Sequence, residues 1–186
     1  MSTTAIWITA RATGLMAYAL MSATMLAGLT LSGRARPSWT RPADIFALHR
    51  WLSLMTLVMI AAHGITLGLD ATMHFPIAGM LVPGLTPYRP VWTGLGIAGA
   101  WVALAVYLSF RVRPWIGTQW WRRLHWATYA AFLAASAHGL AAGTDSAQRW
   151  AIGIYAGGVG AVVTATVWRA GVERSSRRRA SRAVSA

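Results

Sequence analysis

Long apolar runs separated by short arginine-bearing segments make up most of this 186-residue chain. Five runs are long enough to form membrane-spanning helices, each of which needs about 20 predominantly apolar residues. The predicted spans are residues 12–33, 44–69, 90–110, 120–142 and 150–168. The pattern therefore predicts an all-α integral membrane protein, a bundle of five transmembrane helices.

The first apolar run has a competing interpretation as the core of a cleaved signal peptide. That interpretation is disfavoured because the run is longer than such a core and because Arg34, Arg36 and Arg41 follow it as a stop-transfer flank. The sequence predicts one membrane domain over residues 1–170. Residues 171–186 are predicted to be a disordered basic tail, too polar to fold alone.

Composition agrees with the hydrophobic pattern. The chain is 56% hydrophobic and only 11% charged, and its mean hydropathy is +0.47, which is too apolar for a soluble domain. It contains no cysteine, which excludes disulfides, thiolate-held iron–sulfur clusters and haem attached through C-x-x-C-H. Any redox centre must therefore be held by other residues.

The net charge of +13 comes from seventeen arginines and no lysine. Nucleic-acid binding is not predicted, because the arginines cluster between the apolar spans. Residues 34–41, 111–123 and the tail from Arg169 carry most of them on one side of the membrane. The opposite side has only Arg11, Arg89, Arg149, Asp70 and Asp145. The positive-inside rule then predicts an N-terminus outside, a cytoplasmic C-terminus and a location in the bacterial inner membrane, in contact with its lipids.

Four of the five histidines lie in spans two and four, where ionisable residues are functional candidates. His49 and His63 are fourteen residues apart, and His125 and His138 are thirteen apart. With spans two and four both running outwards, His49 and His125 share a depth of roughly 7–8 Å below the cytoplasmic edge, and the other two lie about 20 Å further out. We call His49 with His125 the inner pair and His63 with His138 the outer pair. Two such pairs of imidazoles are what two six-coordinate b-type haems require.

Helix geometry leaves one question about span four. At about 100° per residue, thirteen positions put His138 roughly 140° around an ideal helix from His125. Either span four is locally distorted, or its two cofactors approach from different sides. The fifth histidine, His74, lies in an outer loop and is expected to be exposed to solvent.

The histidine spacings and their flanks resemble the ferric-reductase-like transmembrane domain of ferric reductases and NADPH oxidases. The flanks that carry the resemblance are LHRWLSL, TPYRPVWTGLG, WRRLHWATYA and AHGLAAGTD, and it extends over roughly residues 43–168. It implies two bis-histidyl haems b, one between His49 and His125 and one between His63 and His138, whose iron atoms these residues ligate. It also implies electron transfer across the membrane, with this chain as the membrane haem component of an oxidoreductase.

Arginines near the histidines are candidate partners of haem propionates. Arg50 and Arg123, with Arg122, adjoin the inner pair, whereas Arg89 lies on the outer side. These arginines could equally serve only as positive-inside anchors. Asp145 is expected either to cap the fifth span or to orient Arg89. Small residues in span four could make room for a flat ring or could serve ordinary helix packing.

The sequence predicts no flavin or NAD(P) site in this chain. A literal GxGxxG occurs at Gly94, Gly96 and Gly99, but it lies inside an apolar span with no preceding strand, so we interpret these glycines as close helix-packing positions. A separate electron donor is therefore expected, and the basic inner surface could dock an acidic partner or bind anionic lipid.

Three functions remain open. The chain could pass electrons from a cytoplasmic flavoprotein to an extracytoplasmic acceptor. It could instead take electrons from membrane quinol and supply an extracytoplasmic reductase or flavoprotein, as in the sulfoxide-reductase haem subunits. It could also be a non-redox subunit or transporter with structural histidines. A cytochrome of the b561 kind is a minor alternative, and a metal hydrolase is disfavoured because there is no H-E-x-x-H.

Overall fold

The computed structural model describes residues 3–32, 40–70 and 75–184, and these residues form helices and no strand. The helices are α1 Thr3–Ser32, α2 Pro42–Gly68, α3 Ile77–Leu81, α4 Pro90–His125, α5 Ala127–Ala142 and α6 Arg149–Val184. The predicted all-α class is confirmed. Within these residues, four segments are long and apolar enough to cross a membrane: Thr3–Leu31, Pro42–Gly68, Pro90–Ala142 and Arg149–Ser176.

Proline starts two of the long helices. Pro42 opens α2 and Pro90 opens α4, because the fixed φ of proline suits the first helical turn and its missing N–H is not needed there. The start of α4 at Pro90 is the one that the sequence predicted. Arg89, directly before it, has a left-handed backbone with φ 42°, a conformation that few non-glycine residues adopt.

The segment Pro90–Ala142 folds back on itself. Gly117 has a non-helical backbone with φ 76° and ψ 158°, and Pro114 lies just before it inside α4. A Cβ atom built on Gly99 would lie 3.2 Å from the carbonyl oxygen of Ala131 and 3.4 Å from the Cβ of Ala134, so the two arms pack closely. Predicted spans three and four are these arms. The loop predicted around residues 111–119 is instead helical apart from Gly117, because only that position breaks the helical backbone.

The glycine contacts explain the GxGxxG sequence and the alanines of span four. Gly99 packs on α5 at Ala131 and Ala134, and Gly94 lies against the backbone of Gly84. The predicted close helix packing is therefore confirmed at Gly99, whereas Gly94 meets the segment before α4 and Gly96 meets the ring of His138. Ala131 and Ala134 serve that same helix packing, which is one of the two uses that the sequence left open.

An aromatic cluster joins α1, α5 and α6. Tyr18 stacks on Phe132 at 5.7 Å between ring centroids and lies 4.6 Å from the ring of Tyr155. The Tyr18 hydroxyl donates to the carbonyl oxygen of Tyr155 at 3.0 Å. Phe132 is only 2% exposed, so this cluster is a buried core. Large apolar side chains such as Ile65 and Val163 are instead exposed on the helix surfaces, as expected for contact with lipid.

Helix α1 begins well before the predicted span. It starts at Thr3 rather than near residue 12, so Arg11 belongs to the helix. Arg11 forms an ion pair with Asp145 and lies 4.1 Å over the ring of Trp7. Asp145 therefore pairs with Arg11 and does not orient Arg89, because the turn between α5 and α6 places its carboxylate against α1.

The structure of the C-terminal tail also differs from the prediction. Helix α6 continues without a break to Val184, although residues 171–186 were expected to lack structure. Alanine and arginine are both good helix formers, and the helix is already nucleated by the apolar turns before it. An ion pair from Arg169 to Glu173, four residues later, spans 2.9 Å along this part of α6.

Candidate functional site

The four membrane histidines meet in two pairs. The ring centroids of His49 and His125 are 6.2 Å apart, and those of His63 and His138 are 6.3 Å apart. The pairing predicted from their depths is thus confirmed, as is the parallel direction of spans two and four. Their role as iron ligands stays a prediction.

These separations fit a metal between the rings of each pair. An imidazole nitrogen binds a metal at about 2.0–2.1 Å. Two imidazoles on opposite faces of one haem iron therefore have ring centroids about 6 Å apart, which agrees with both pairs. Two imidazoles stacked directly on each other would be closer. The two pairs also have almost the same separation, which a common ligand between the rings would explain.

Each pair offers only two protein ligands. Among the described residues, no group of three or more histidines, cysteines, aspartates or glutamates is placed to hold a metal ion. An iron held by two axial histidines needs its other four ligands from elsewhere, and a porphyrin supplies four nitrogens in one plane. The donor set therefore fits haem better than a bare metal ion.

Three of the histidines are oriented by hydrogen bonds from Nδ1 to a backbone carbonyl oxygen. The bonds are His49 to Thr24 at 3.0 Å, His63 to Ala10 at 2.8 Å and His138 to Trp92 at 2.9 Å. Because a carbonyl oxygen can only accept, Nδ1 carries the proton in each ring and Nε2 keeps its lone pair. This arrangement leaves Nε2 able to bind iron and makes it a stronger ligand.

The same three histidines each lie against a glycine. The accepting carbonyl belongs in every case to the residue four positions before that glycine, so ring and hydrogen bond use one helical turn. A Cβ atom would lie 2.7 Å from His138 at Gly96, 3.0 Å from His63 at Gly14 and 3.2 Å from His49 at Gly28. We call these three turns the glycine cradles. A side chain at Gly96 would force the imidazole of His138 to move, and one at Gly14 or Gly28 would make a tight contact with the ring beside it.

His125 lacks a cradle. Its Nδ1 is buried without a hydrogen-bond partner in the described protein. Its ring instead stacks on Trp121, with centroids 4.9 Å apart and planes inclined by 29°. The inner pair is therefore held differently from the outer pair.

Span four has a local irregularity next to His125. The helix is interrupted at Trp126, whose N–H approaches the carbonyl oxygens of Arg122 at 3.3 Å and Arg123 at 3.2 Å. The N–H of Tyr129 then bonds to the Trp126 carbonyl three residues before it. This tightened turn lies between His125 and His138, so span four has a local distortion, which is one of the two alternatives that the sequence left open; Trp126 itself keeps a helical backbone with φ −62° and ψ −21°.

The candidate propionate partners have other contacts. Arg89 donates to the carbonyl oxygen of Ala141, near the outer pair. Arg50 directly follows His49 in the chain, and its guanidinium lies 5.9 Å from the centre of the Phe46 ring. The guanidinium of Arg123 lies 4.7 Å over Trp120. All three arginines are exposed, and their pairing with propionates stays a prediction.

The sequence analysis missed the residues that orient the histidines. A signal was present, because Gly14 and Gly28 are fourteen residues apart, the same spacing as His49 and His63 on the antiparallel helix beside them. Trp121 also had a signal, since it lies four residues before His125 and so on the same helical face. The predicted exposure of His74, and the flanking Arg34 and Arg36, lie outside the described residues.

Comparison with protein families gives one match, to the model described as ferric reductase like transmembrane component, over residues 13–136. The chain belongs to this family. The match includes His49, His63 and His125 and ends two residues before His138. Comparisons with curated proteins and with solved structures gave no match. Membership in this family indicates a redox-related component of a membrane, and it agrees with the family resemblance seen in the sequence.

Proposed function

We propose that this protein carries electrons across a membrane through two bis-histidyl b-type haems, from a cytoplasmic flavoprotein to an acceptor outside. The observation that carries the proposal is the pair of matched histidine sites, 6.2 Å and 6.3 Å between ring centroids. Family membership supports the redox class of the function. When bound, haem supplies reversible one-electron chemistry.

The chain's own residues set the geometry of such a pathway. His49 and His63 project from one helix at levels about 20 Å apart along its axis, and His125 and His138 oppose them. Backbone carbonyls of α1 and α4 fix three of the rings. The cluster around Tyr18 and Phe132 packs α1 against α5 and α6.

The topology proposed with this function has five crossings. The two arms of Pro90–Ala142 count as two spans because the chain reverses at Gly117. The arginine distribution then puts the N-terminus outside and the C-terminus in the cytoplasm, in a bacterial inner membrane. The inner pair faces the donor side in this arrangement.

Membrane quinol is the second candidate donor. An open surface pocket of about 390 Å³ lies where the chain reverses within α4, lined by Phe110, Arg113, Pro114, Gly117 and Thr118. The ring of Phe110 is 6.3 Å from that of Trp121, which stacks on His125. An aromatic ring, a guanidinium and a hydroxyl suit the head group of a quinol arriving from lipid. The acceptor would then be an extracytoplasmic reductase or flavoprotein.

The first test is a reduced-minus-oxidised visible spectrum of the purified protein, which should show b-type bands. Changing His49 or His125 to Ala should remove about half of the bound haem and leave the outer site loaded, because each change deletes one axial ligand. His74→Ala serves as the matched control and should keep all of it. A protein without b-type bands would instead support a non-redox role for the histidines.

The donor is tested on the same preparation. NADH or NADPH alone should leave the haems oxidised, because no dinucleotide-binding motif in a strand–helix context is present in the sequence. Reduction by an added flavoprotein reductase would support the first donor, and reduction by a quinol would support the second. Direct reduction by the nicotinamide cofactors would contradict both.

Topology is tested independently of haem. A reporter fused after Ala186 should be cytoplasmic, and one inserted near Gly79 should lie outside the membrane. Activity of both reporters on the same side would contradict the odd number of crossings. The reverse result would invert the direction of electron flow.

A further inference from the structure

Of the four paired histidines, His125 alone has a buried Nδ1 with no hydrogen-bond partner in the described protein. A buried polar atom without a partner is costly, and the other three rings avoid this cost through carbonyl bonds. Something else must therefore define the orientation of the His125 ring.

Trp121 makes the contact that does so. It lies one helical turn before His125, at the spacing that brings side chains onto one face, and the two rings stack at 4.9 Å and 29°. Its indole Nε1 is likewise buried without a partner in the described residues. The indole thus contributes its ring face to the site, and no hydrogen bond from Nε1 stabilises it.

Trp121 is itself held on two sides. The Phe110 ring packs against it at 6.3 Å and 71°, and the Arg113 guanidinium lies 5.0 Å over it. Both neighbours come from the other arm of the fold-back, across the kink at Gly117. The stack on His125 is therefore fixed by the tertiary fold, not by a single flexible side chain.

We propose that Trp121 is the positioning residue of the inner haem ligand His125, replacing by ring stacking the Nδ1 hydrogen bond that orients each of the other three histidines. This inference rests on the proposed function, because it assigns His125 to an iron. Trp121 acts through His125 and does not itself need to touch the cofactor. It makes the inner site depend on one aromatic side chain.

The test compares Trp121→Leu with Trp121→Phe. Leucine removes the stacking face, so the inner site should lose haem affinity by about tenfold or more, the loss typical of a missing orienting partner. Its low-spin electron paramagnetic resonance signal should also broaden as the ring samples several orientations. Phenylalanine keeps an aromatic face and should restore most of both properties. Trp115→Leu is the matched control, because Trp115 is 83% exposed.

Variants that should retain only one haem show which of the two sites Trp121→Leu affects. In the His138→Ala protein, which should retain the inner haem, Trp121→Leu should change the spectrum. In the His49→Ala protein, which should retain the outer haem, it should change nothing. If Trp121→Leu leaves inner-haem affinity and line shape as in the parent, or if both haems change equally, the proposal is overturned.

A second variant tests the proposal in case Trp121→Leu folds poorly. Phe110→Leu removes the ring that packs behind Trp121 and should shift the inner-haem signal in the same direction by a smaller amount. An unchanged signal in Phe110→Leu together with no rescue by Trp121→Phe would also overturn the proposal. Absence of haem from the parent protein would instead be a failure of the proposed function, which separates the two results.

Discussion

The inner and outer pairs each consist of two histidines with nearly the same separation between ring centroids, yet the surroundings of the two pairs differ. Both outer rings donate Nδ1–H to a carbonyl oxygen and both lie in glycine cradles. In the inner pair only His49 does so, while His125 relies on a stack with Trp121. The comparison shows that two matched histidine pairs can have different surroundings, and the groups behind a histidine set its orientation and basicity as a ligand.

Local backbone explains the difference. The outer histidines face uninterrupted stretches of α1 and α4, where a carbonyl and a glycine recur on one turn. His125 lies between two irregularities, the kink at Gly117 and the break at Trp126. The short arm between them presents a side chain, rather than a neighbouring helix backbone, to the ring.

The largest effect on this comparison is expected from Gly96→Ala. The new Cβ would lie 2.7 Å from His138, closer than packed atoms allow, so the imidazole must leave the Trp92 carbonyl. The outer haem should be lost or become high-spin while the inner haem remains, as measured by haem content and visible spectra.

Gly64→Ala is the matched control for Gly96→Ala, because a Cβ there would meet nothing within 4 Å. Gly14→Ala and Gly28→Ala, at 3.0 Å and 3.2 Å from their histidines, should have progressively smaller effects, on the outer and inner haem respectively. Equal haem content in the Gly96 and Gly64 variants would show that the cradle does not position His138.

An intermediate effect is expected in the reduction potentials. Hydrogen bonds from Nδ1 make an imidazole more basic, which stabilises ferric iron and lowers the potential. The outer haem, with two such bonds, should therefore titrate at the lower potential, and the inner haem at the higher one. A redox titration of the His138→Ala and His49→Ala proteins measures each site alone.

An inner potential at or below the outer one would contradict that assignment. The predicted order also has a consequence for direction. Electrons would move outwards against the order of the two sites, and a membrane potential, negative inside, would assist by about 2.3 kcal/mol per 100 mV for a full crossing.

The smallest effect is expected from truncation after Gly171. Haem content and both potentials should stay unchanged, because the removed part of α6 lies beyond the cluster that joins α1, α5 and α6. The rate of reduction by an acidic flavoprotein should fall and lose part of its salt dependence, because the removed arginines contribute to the inner positive field. If the truncated protein keeps the rate and salt dependence of the full chain, the tail is a topology anchor only.

The sequence by itself determined the helical class, the apolar segments and the histidine pairs. These follow from one-dimensional regularities: runs of about 20 apolar residues and two histidine spacings that place ligands at equal depth on parallel helices. Helix ends were less well determined. Arg11 and residues 111–119 were assigned outside helices because charge and proline are local signals, whereas the backbone is helical at Arg11 and across residues 111–119 except at Gly117.

Only the tertiary structure decided how each histidine is held. A backbone carbonyl accepts a hydrogen bond whatever its side chain is, so no residue type marks Ala10, Thr24 or Trp92 as a partner. Asp145 likewise forms an ion pair with Arg11, 134 residues earlier in the chain, rather than with the nearer candidate Arg89. The stack of Trp121 on His125 uses the four-residue spacing of one helical turn, but the contacts of Phe110 and Arg113 that hold Trp121 come from across the kink at Gly117 and were decided by packing.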